Sequence, residues 1–389
     1  MRFFLIVIDS FGIGAMPDAA FYGDAGSDTY GHVFERTGVS LDTLVSFGLN
    51  NIDGVSRSFS NGRELLPVNH PRAAHARLAE KTPAKDTTAG HYEIAGLVMR
   101  HPYRVYKKFP REIIDALEVQ TGTHFLGNEA ASGTEIIQRL GPEHLRTGFP
   151  ILYTSADSVM QIAADTSVIP LARLYEICAA ARKIMTGERA VGRVIARPFI
   201  HHGNIFTRTE DRRDYALEPP GRTMLDVLYE AGIPTVGVGK IGDIFCGRGI
   251  SKSIHTGNNA EGLREVQRLA REMEGGLAFV NLVDTDMLYG HRNDVEGYAA
   301  ALLRIDEAVA KIEKDLREED ILLLAADHGC DPSTPSTDHS REYVPLLIYG
   351  KRICPLDLGT IEGFDCIAAS VLASFGLGRS VLYEKLKED

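Results

Sequence analysis

Three apolar runs, far apart in the chain, each stop at a carboxylate. RFFLIVI, from Arg2, ends on Asp9; LAFVNLV, from Leu277, leads to Asp284 and Asp286; ILLLAA, from Ile321, ends on Asp327. Unbroken Val/Ile/Leu-rich runs of this length read as strands buried on both faces, the pattern of a parallel sheet. In an open α/β sheet the ligand lies beyond the carboxyl ends of the strands. Acids remote in sequence are therefore expected along one crevice. The intervening segments read as helices: VEGYAAALLRIDEAVAKIEKDL, from Val295, has apolar positions at helical spacing. TMLDVLYEAG, closed by Gly232, leads into a further strand, PTVGVG.

The middle of the chain reads differently. Between residues 101 and 218 there are helical stretches (REIIDALEVQTG, SGTEIIQRLG, LARLYEICAAARKIM) and strands (ILYTS, GRVIAR), but no strand that ends on an acid. EPPGR, Glu218 to Arg222, has the composition of a linker. The expected organisation is a core formed by residues 1–100 and 219–389, with 101–218 as a smaller inserted domain. A chain of 389 residues has room for both.

Charge and processing signals narrow the function. A formal net charge of −11 opposes a nucleic-acid or anionic-membrane surface. MRFFLIVID carries one basic residue and a short apolar run, but Asp9 ends it before a signal-peptide core is complete, and no later stretch is long enough to span a membrane. Five scattered cysteines without a CxxC pair fit a reducing cytoplasm.

VDTDMLYGH offers Asp284, Asp286 and His291, and ADHGCDPSTPSTDH offers Asp327, His328, Asp331, Asp338 and His339. A lone residue of this kind is ordinarily a cap or a surface group. Repetition at three strand ends, Asp9 included, changes that, because neighbouring buried carboxylates repel one another unless a cation sits between them. Two cations a few ångströms apart can clamp an in-line phosphoryl transfer. A bound cation also lowers the pKa of a coordinated hydroxyl. This gives a use to KDTTAGHYE, Lys85 to Glu93, whose Thr87 and Thr88 would otherwise be a polar turn.

The ordered set DSFGIGAMPDA, GSDTYGH, KDTTAGHYEIAG, YTSADS, VGRVIARPF, VDTDMLYGH and ADHGCDPSTPSTDHSREYVPLL resembles the phosphopentomutases of the alkaline phosphatase superfamily, from Phe3 to the last strands. The resemblance implies an α/β fold: an alkaline-phosphatase-like core with a mostly parallel sheet flanked by helices, plus an inserted α+β cap that closes over the site. It implies Asp286, His291 and His339 as ligands of one metal, and Asp9, Asp327 and His328 as ligands of the other. Thr87 is then the nucleophile and Thr88 its neighbour. Two Mn²⁺ ions are implied, and ligand sets of oxygen and imidazole agree with that while admitting Zn²⁺.

The implied reaction interconverts α-D-ribose 1-phosphate, or its 2-deoxy analogue, and the 5-phosphate. It runs through phosphothreonine and a pentose 1,5-bisphosphate, primed by glucose 1,6-bisphosphate or the pentose bisphosphate itself, and links nucleoside salvage to the pentose phosphate pathway. Arg193, Arg208 and Lys240 match positions near the substrate phosphate, and Ser155 and Asp157 match positions that hold sugar hydroxyls. The partners implied are small sugar phosphates. The sequence does not fix the oligomer, and a monomer is compatible with it. Two departures stand out: Tyr92 replaces an expected tryptophan, and Cys330 an expected asparagine. The thiol reads either as a small buried side chain or as a group near enough to bias metal choice. The competing assignments are a cofactor-independent phosphoglycerate mutase, whose nucleophile is a serine on a longer chain, and a phosphohydrolase of the same superfamily. A non-catalytic metal- or sugar-phosphate-binding protein is a third, opposed by the intact nucleophile and ligands.

Overall fold

The strand Arg2–Ile8 is buried along its whole length and lies centrally in an eight-stranded sheet. Successive side chains of a strand point to opposite faces, so burial of all seven residues requires cover on both. Its single basic residue is accounted for: Arg2 is buried, with Nε 3.0 Å from both carboxylate oxygens of Asp320. In this computed structural model the described residues are 1–100, 103–155 and 158–387.

The strands lie in the order Lys252–Ile254, Thr235–Val238, Gly276–Leu282, Arg2–Ile8, Ile321–Ala325, Val344–Tyr349, Ala74–Ala79 and Asp357–Glu362. Only Val344–Tyr349 runs against the others. The sheet is thus mostly parallel, as the acid-ended runs predict. Ile8 pairs with Leu282 and Val7 with Ala325, so Asp9, Asp284 and Asp327 emerge from one edge. The direction of the outer strands brings further residues to that edge. Ala74–Ala79 runs parallel to the centre, and its carboxyl end leads to the KDTTAGH loop. Val344–Tyr349 is antiparallel, so it is its amino end, preceded by His339 and Arg341, that lies there.

Helices Asn259–Glu272, Val295–Asp315 and Thr29–Thr37 pack together, and Met224–Glu230, Thr87–Ile94, Asp365–Ser374 and Val381–Leu386 form a second packed group.

The chain divides into two compact units, one formed by Met1–Pro102 with Gly221–Asp389, the other by Tyr103–Pro220. The second is a six-stranded mixed sheet in which Ile151–Thr154, Val159–Asp165 and Arg193–His202 are adjacent. Alternation again sets its packing. Met160, Ile162 and Ala164 join Ile113, Leu117, Leu174 and Ile177, from helices Arg111–Thr121 and Leu171–Ile184, in one cluster. Ala163 joins Ile136 and Ile137, from Gly133–Thr147, in another. Among the described residues no helix is long and apolar enough to cross a membrane.

Candidate active site

Asp9, Asp327 and His328 present ligand atoms within 4.8 Å of one another, and all three residues are buried. Each is aimed by a hydrogen bond to an atom that faces away from the group. Asn281 Nδ2 donates to Asp9 Oδ2 at 2.9 Å, and the Ser10 amide donates to Asp327 Oδ1 at 3.2 Å. His328 Nδ1 donates to the Gly329 carbonyl at 3.1 Å, which leaves Nε2 with its lone pair inward. That Nε2 lies 3.4 Å from both Asp9 Oδ1 and Asp327 Oδ2, neither of which accepts a hydrogen bond. His91 Nδ1 comes within 3.0 Å of Asp327 Oδ2 but lies 2.8 Å from the Thr87 carbonyl, which takes its hydrogen.

A second group repeats the pattern. His291 Nδ1 donates to the Thr337 carbonyl at 2.7 Å, turning Nε2 toward Asp286 at 3.3 Å. His339 Nε2 stands 3.2 Å from Asp286 Oδ1 and 3.2 Å from His291 Nε2. Asp286 Oδ1 is buried and accepts no hydrogen bond. The His328 and His291 lone pairs that face carboxylate oxygens at these distances repel them unless a positive charge lies among them. The donor sets fit a divalent cation in each group, with three residues apiece as candidates to hold it.

The electrostatics agree. Burial, and then the charges of Asp327 and Asp286, push the Asp9 carboxyl well above its ordinary value. Burial opposes a charged His339, but the Asp286 carboxylate overrides it and lifts the ring to about 10. Removing divalent ions with a chelator is expected to lower the midpoint of thermal unfolding, and Mn²⁺ to restore it. A hundredfold excess over Kd contributes about 2.7 kcal/mol, which differential scanning calorimetry would resolve.

The two threonines separate at this point. The helix Thr87–Ile94 is capped by Asp86, whose Oδ1 accepts the amides of Thr88 and Ala89 at 3.1 Å each. Thr87 therefore occupies the first helical position, with Oγ1 3.1 Å from His328 Nε2, inside the Asp9 group. Gly90 permits this approach: a Cβ there would lie 2.3 Å from the Asp327 carbonyl oxygen. Lys240 follows the strand Thr235–Val238, close enough to Asp9 for its charge to favour the carboxylate, with Nζ 3.9 Å from Met287 Sδ.

The remaining acids of VDTDMLYGH and ADHGCDPSTPSTDH have separate partners. Asp331 accepts from the Asp28 amide and pairs with His32 Nδ1 at 2.6 Å, while Asp338 lies 3.4 Å from Lys85 Nζ. Asp284 Oδ2 accepts the Asn259 amide at 2.9 Å. Tyr92 is fully buried, its hydroxyl donating to the Ile244 carbonyl at 3.2 Å. Cys330 is buried too, and burial pushes its thiol up.

The family model of the metalloenzyme superfamily matches residues 1–379. The chain is 50% identical over 379 residues, 97% of its length and 95% of the relative's, to a phosphopentomutase of Caldanaerobacter subterraneus subsp. tengcongensis. A phosphopentomutase of Acetivibrio thermocellus is 51% identical over 98% of this chain and 97% of its own. One of Carboxydothermus hydrogenoformans is 51% identical over 97% and 96%. The chain belongs to the phosphopentomutase family. It is an enzyme with the alkaline-phosphatase-like metalloenzyme fold, as the ordered motifs imply.

Phosphopentomutase motifs in the second unit are distributed rather than clustered. Ser155 follows the strand Ile151–Thr154, and Asp157 lies outside the described residues. Arg208 pairs across the sheet with Phe199, six residues along the same strand from Arg193. At a rise of about 3.3 Å per residue that is roughly 20 Å. The gap is bridged by residues the sequence reading missed. Asp214 lies 3.6 Å from Arg193 Nη1 and 2.7 Å from Arg212 Nε. Burial, and then the charges of Arg212 and Arg208, push the Arg197 guanidinium down.

In the first unit, Arg341 was also passed over. It is buried, and Nη1 donates to Glu80 Oε2 at 2.5 Å and to the carbonyls of Thr82 at 2.8 Å and Ala84 at 2.7 Å. It ties the loop before Thr87 to the segment two residues beyond His339. Arg341→Met would leave Glu80 buried without its counter-charge. The expected cost is about 3–5 kcal/mol in urea unfolding, with activity reduced in the fraction that remains folded.

Proposed function

We propose that this enzyme interconverts α-D-ribose 1-phosphate, or the 2-deoxy sugar, and the corresponding 5-phosphate, with Thr87 carrying the phosphoryl group. The observation that supports this reading best is the position of Thr87 Oγ1, 3.1 Å from His328 Nε2 beside two buried carboxylate oxygens that lack donors. When bound, two divalent cations would lower the pKa of the Thr87 hydroxyl and neutralise charge on the phosphoryl oxygens. Oxygen and imidazole donors suit Mn²⁺, with Zn²⁺ as the alternative. Asp9, Asp327 and His328 hold one, and Asp286, His291 and His339 the other.

Phosphothreonine at residue 87 is the resting form, primed by glucose 1,6-bisphosphate or a pentose 1,5-bisphosphate. The sugar's free hydroxyl oxygen attacks phosphorus, the bond to Thr87 Oγ1 breaks, and the hydroxyl proton leaves. The resulting 1,5-bisphosphate returns its other phosphoryl group to Thr87 Oγ1. Arg193 and Arg208, roughly 20 Å apart along the sheet, stand too far apart to grip one phosphate together; each guanidinium suits phosphate oxygens, and Lys240 is the cation near Asp9. Ser155 and Asp157 hold sugar hydroxyls. The inserted domain, residues 101–218, serves as a cap that shields the phosphoenzyme from water. The reaction takes place in the cytoplasm and connects nucleoside salvage to pentose phosphate metabolism.

Incubation with glucose 1,6-bisphosphate and Mn²⁺ tests the carrier. Peptide mass spectrometry is expected to find one added phosphate, on Thr87. Phosphate on Thr88, or on no residue of the KDTTAGH peptide, would contradict the assignment.

A further inference from the structure

Cys330 contributes a donor that the six-residue ligand set does not use. Its Sγ, a carboxylate oxygen of Asp286 and a ring nitrogen of His291 lie within 4.8 Å of one another. The side chain is 1% exposed. Its amide is fixed by the Ser10 carbonyl and Thr29 Oγ1, each at 3.2 Å, and Sγ–H donates to the Asp338 carbonyl at 3.6 Å. Gly290 leaves the space it occupies, since a Cβ there would approach Sγ to 2.8 Å. The independent pointer to a ligand is Asp286 Oδ1, buried without a hydrogen-bond donor at the same place. His339 Nε2 lies 3.2 Å from both His291 Nε2 and Asp286 Oδ1.

We infer that in this chain Cys330 Sγ is a fourth ligand of the cation held by Asp286, His291 and His339. The inference rests on the reading of those three residues as metal ligands. Ligation at about 2.0–2.3 Å sets donor separations of roughly 3.3–3.8 Å, so Cys330, Asp286 and His291 need draw together by at most about 1.5 Å, with expansion to a fifth position for a phosphoryl oxygen. As the sulfur–metal bond forms, the S–H bond breaks, the proton leaves to solvent and the hydrogen bond to Asp338 is given up; no electron is transferred. A set of one thiolate, one carboxylate and two imidazoles favours zinc, cobalt or cadmium over manganese. The Asp9, Asp327 and His328 group has no sulfur and retains its preference for a harder ion. The two positions of this enzyme then differ in the metal they select.

The test is titration of metal-free, full-length protein with Co²⁺, followed by absorption. Wild type is expected to show visible d–d bands together with a near-ultraviolet thiolate-to-cobalt charge-transfer band. Cys330→Asn should keep the d–d bands and lose the charge-transfer band, while Cys246→Ser, at an exposed thiol, should keep both. Zinc affinity of Cys330→Asn should fall at least about tenfold, with little change for manganese. Cobalt d–d bands without charge transfer in wild type would overturn the inference and leave the metal site standing, as would a charge-transfer band that survives Cys330→Asn. Absence of any cobalt binding would overturn both. Cys330→Ser provides the same comparison if the asparagine variant does not fold.

Discussion

Thr87→Ala is expected to fold, bind its metals and turn nothing over, with a residual rate below about 10⁻⁴ of wild type. The fold is spared because the helix start does not depend on the Thr87 side chain. Asp86 still caps Thr88 and Ala89, Gly90 still packs on Asp327, and the Thr87 carbonyl still receives His91 Nδ1. The metals are spared because Asp9, Asp327 and His328 are each held by Asn281, Ser10 or Gly329. What is lost is the one oxygen within 3.1 Å of His328 Nε2 that can carry a phosphoryl group between two sugar positions. A coupled assay with ribose 1-phosphate, alongside metal analysis of the same sample, checks both halves. Thr88→Ala is the control: Asp86 holds its backbone amide, which the substitution keeps, and it should retain most activity.

Asp327→Ala is expected to abolish activity by a different route, through the metal. Asp327 Oδ2 lies 3.4 Å from His328 Nε2 while Oδ1 is locked to the Ser10 amide, so the carboxylate is aimed rather than free to swing. Its removal takes away the charge that supports cation binding in the buried Asp9 group. Loss of an outer-shell partner alone weakens a metal by about 10–100-fold; loss of the ligand itself should exceed this. Plasma emission analysis of the dialysed variant should find one of two metals gone. Unchanged metal content would remove Asp327 from the ligand set. The two variants part company here: Thr87→Ala keeps its metals, Asp327→Ala does not.

The acid-ended strands were readable because two simple rules coincide. A strand buried on both faces shows as an unbroken apolar run, and the first acid after it marks the carboxyl edge. Thr87 was distinguishable from Thr88 only through family resemblance, although the signal of a capping aspartate directly before a helical stretch was present in Asp86. The convergence of His339 on the edge depended on Val344–Tyr349 running antiparallel, and an apolar run carries no sign of its direction. Asn281 could have been flagged as the one polar residue within LAFVNLV, but which face it serves follows from register with Arg2–Ile8, not from composition. Arg341 and Arg197 were missed for a related reason. A buried arginine reads in sequence like a surface one, since burial is decided by partners that lie hundreds or tens of residues away. Cys330 was noticed as a departure, but its approach to Asp286 and His291 is made by the turn after Asp327 and by the absence of a side chain at Gly290.

The central claim is that the phosphoryl group on Thr87 passes to a sugar and not to water. ³¹P NMR of the purified enzyme with ribose 1-phosphate, Mn²⁺ and a trace of glucose 1,6-bisphosphate tests it most directly. The expected result is conversion of the ribose 1-phosphate signal to that of ribose 5-phosphate with little inorganic phosphate. Inorganic phosphate without ribose 5-phosphate would contradict it and identify a hydrolase built on the same residues.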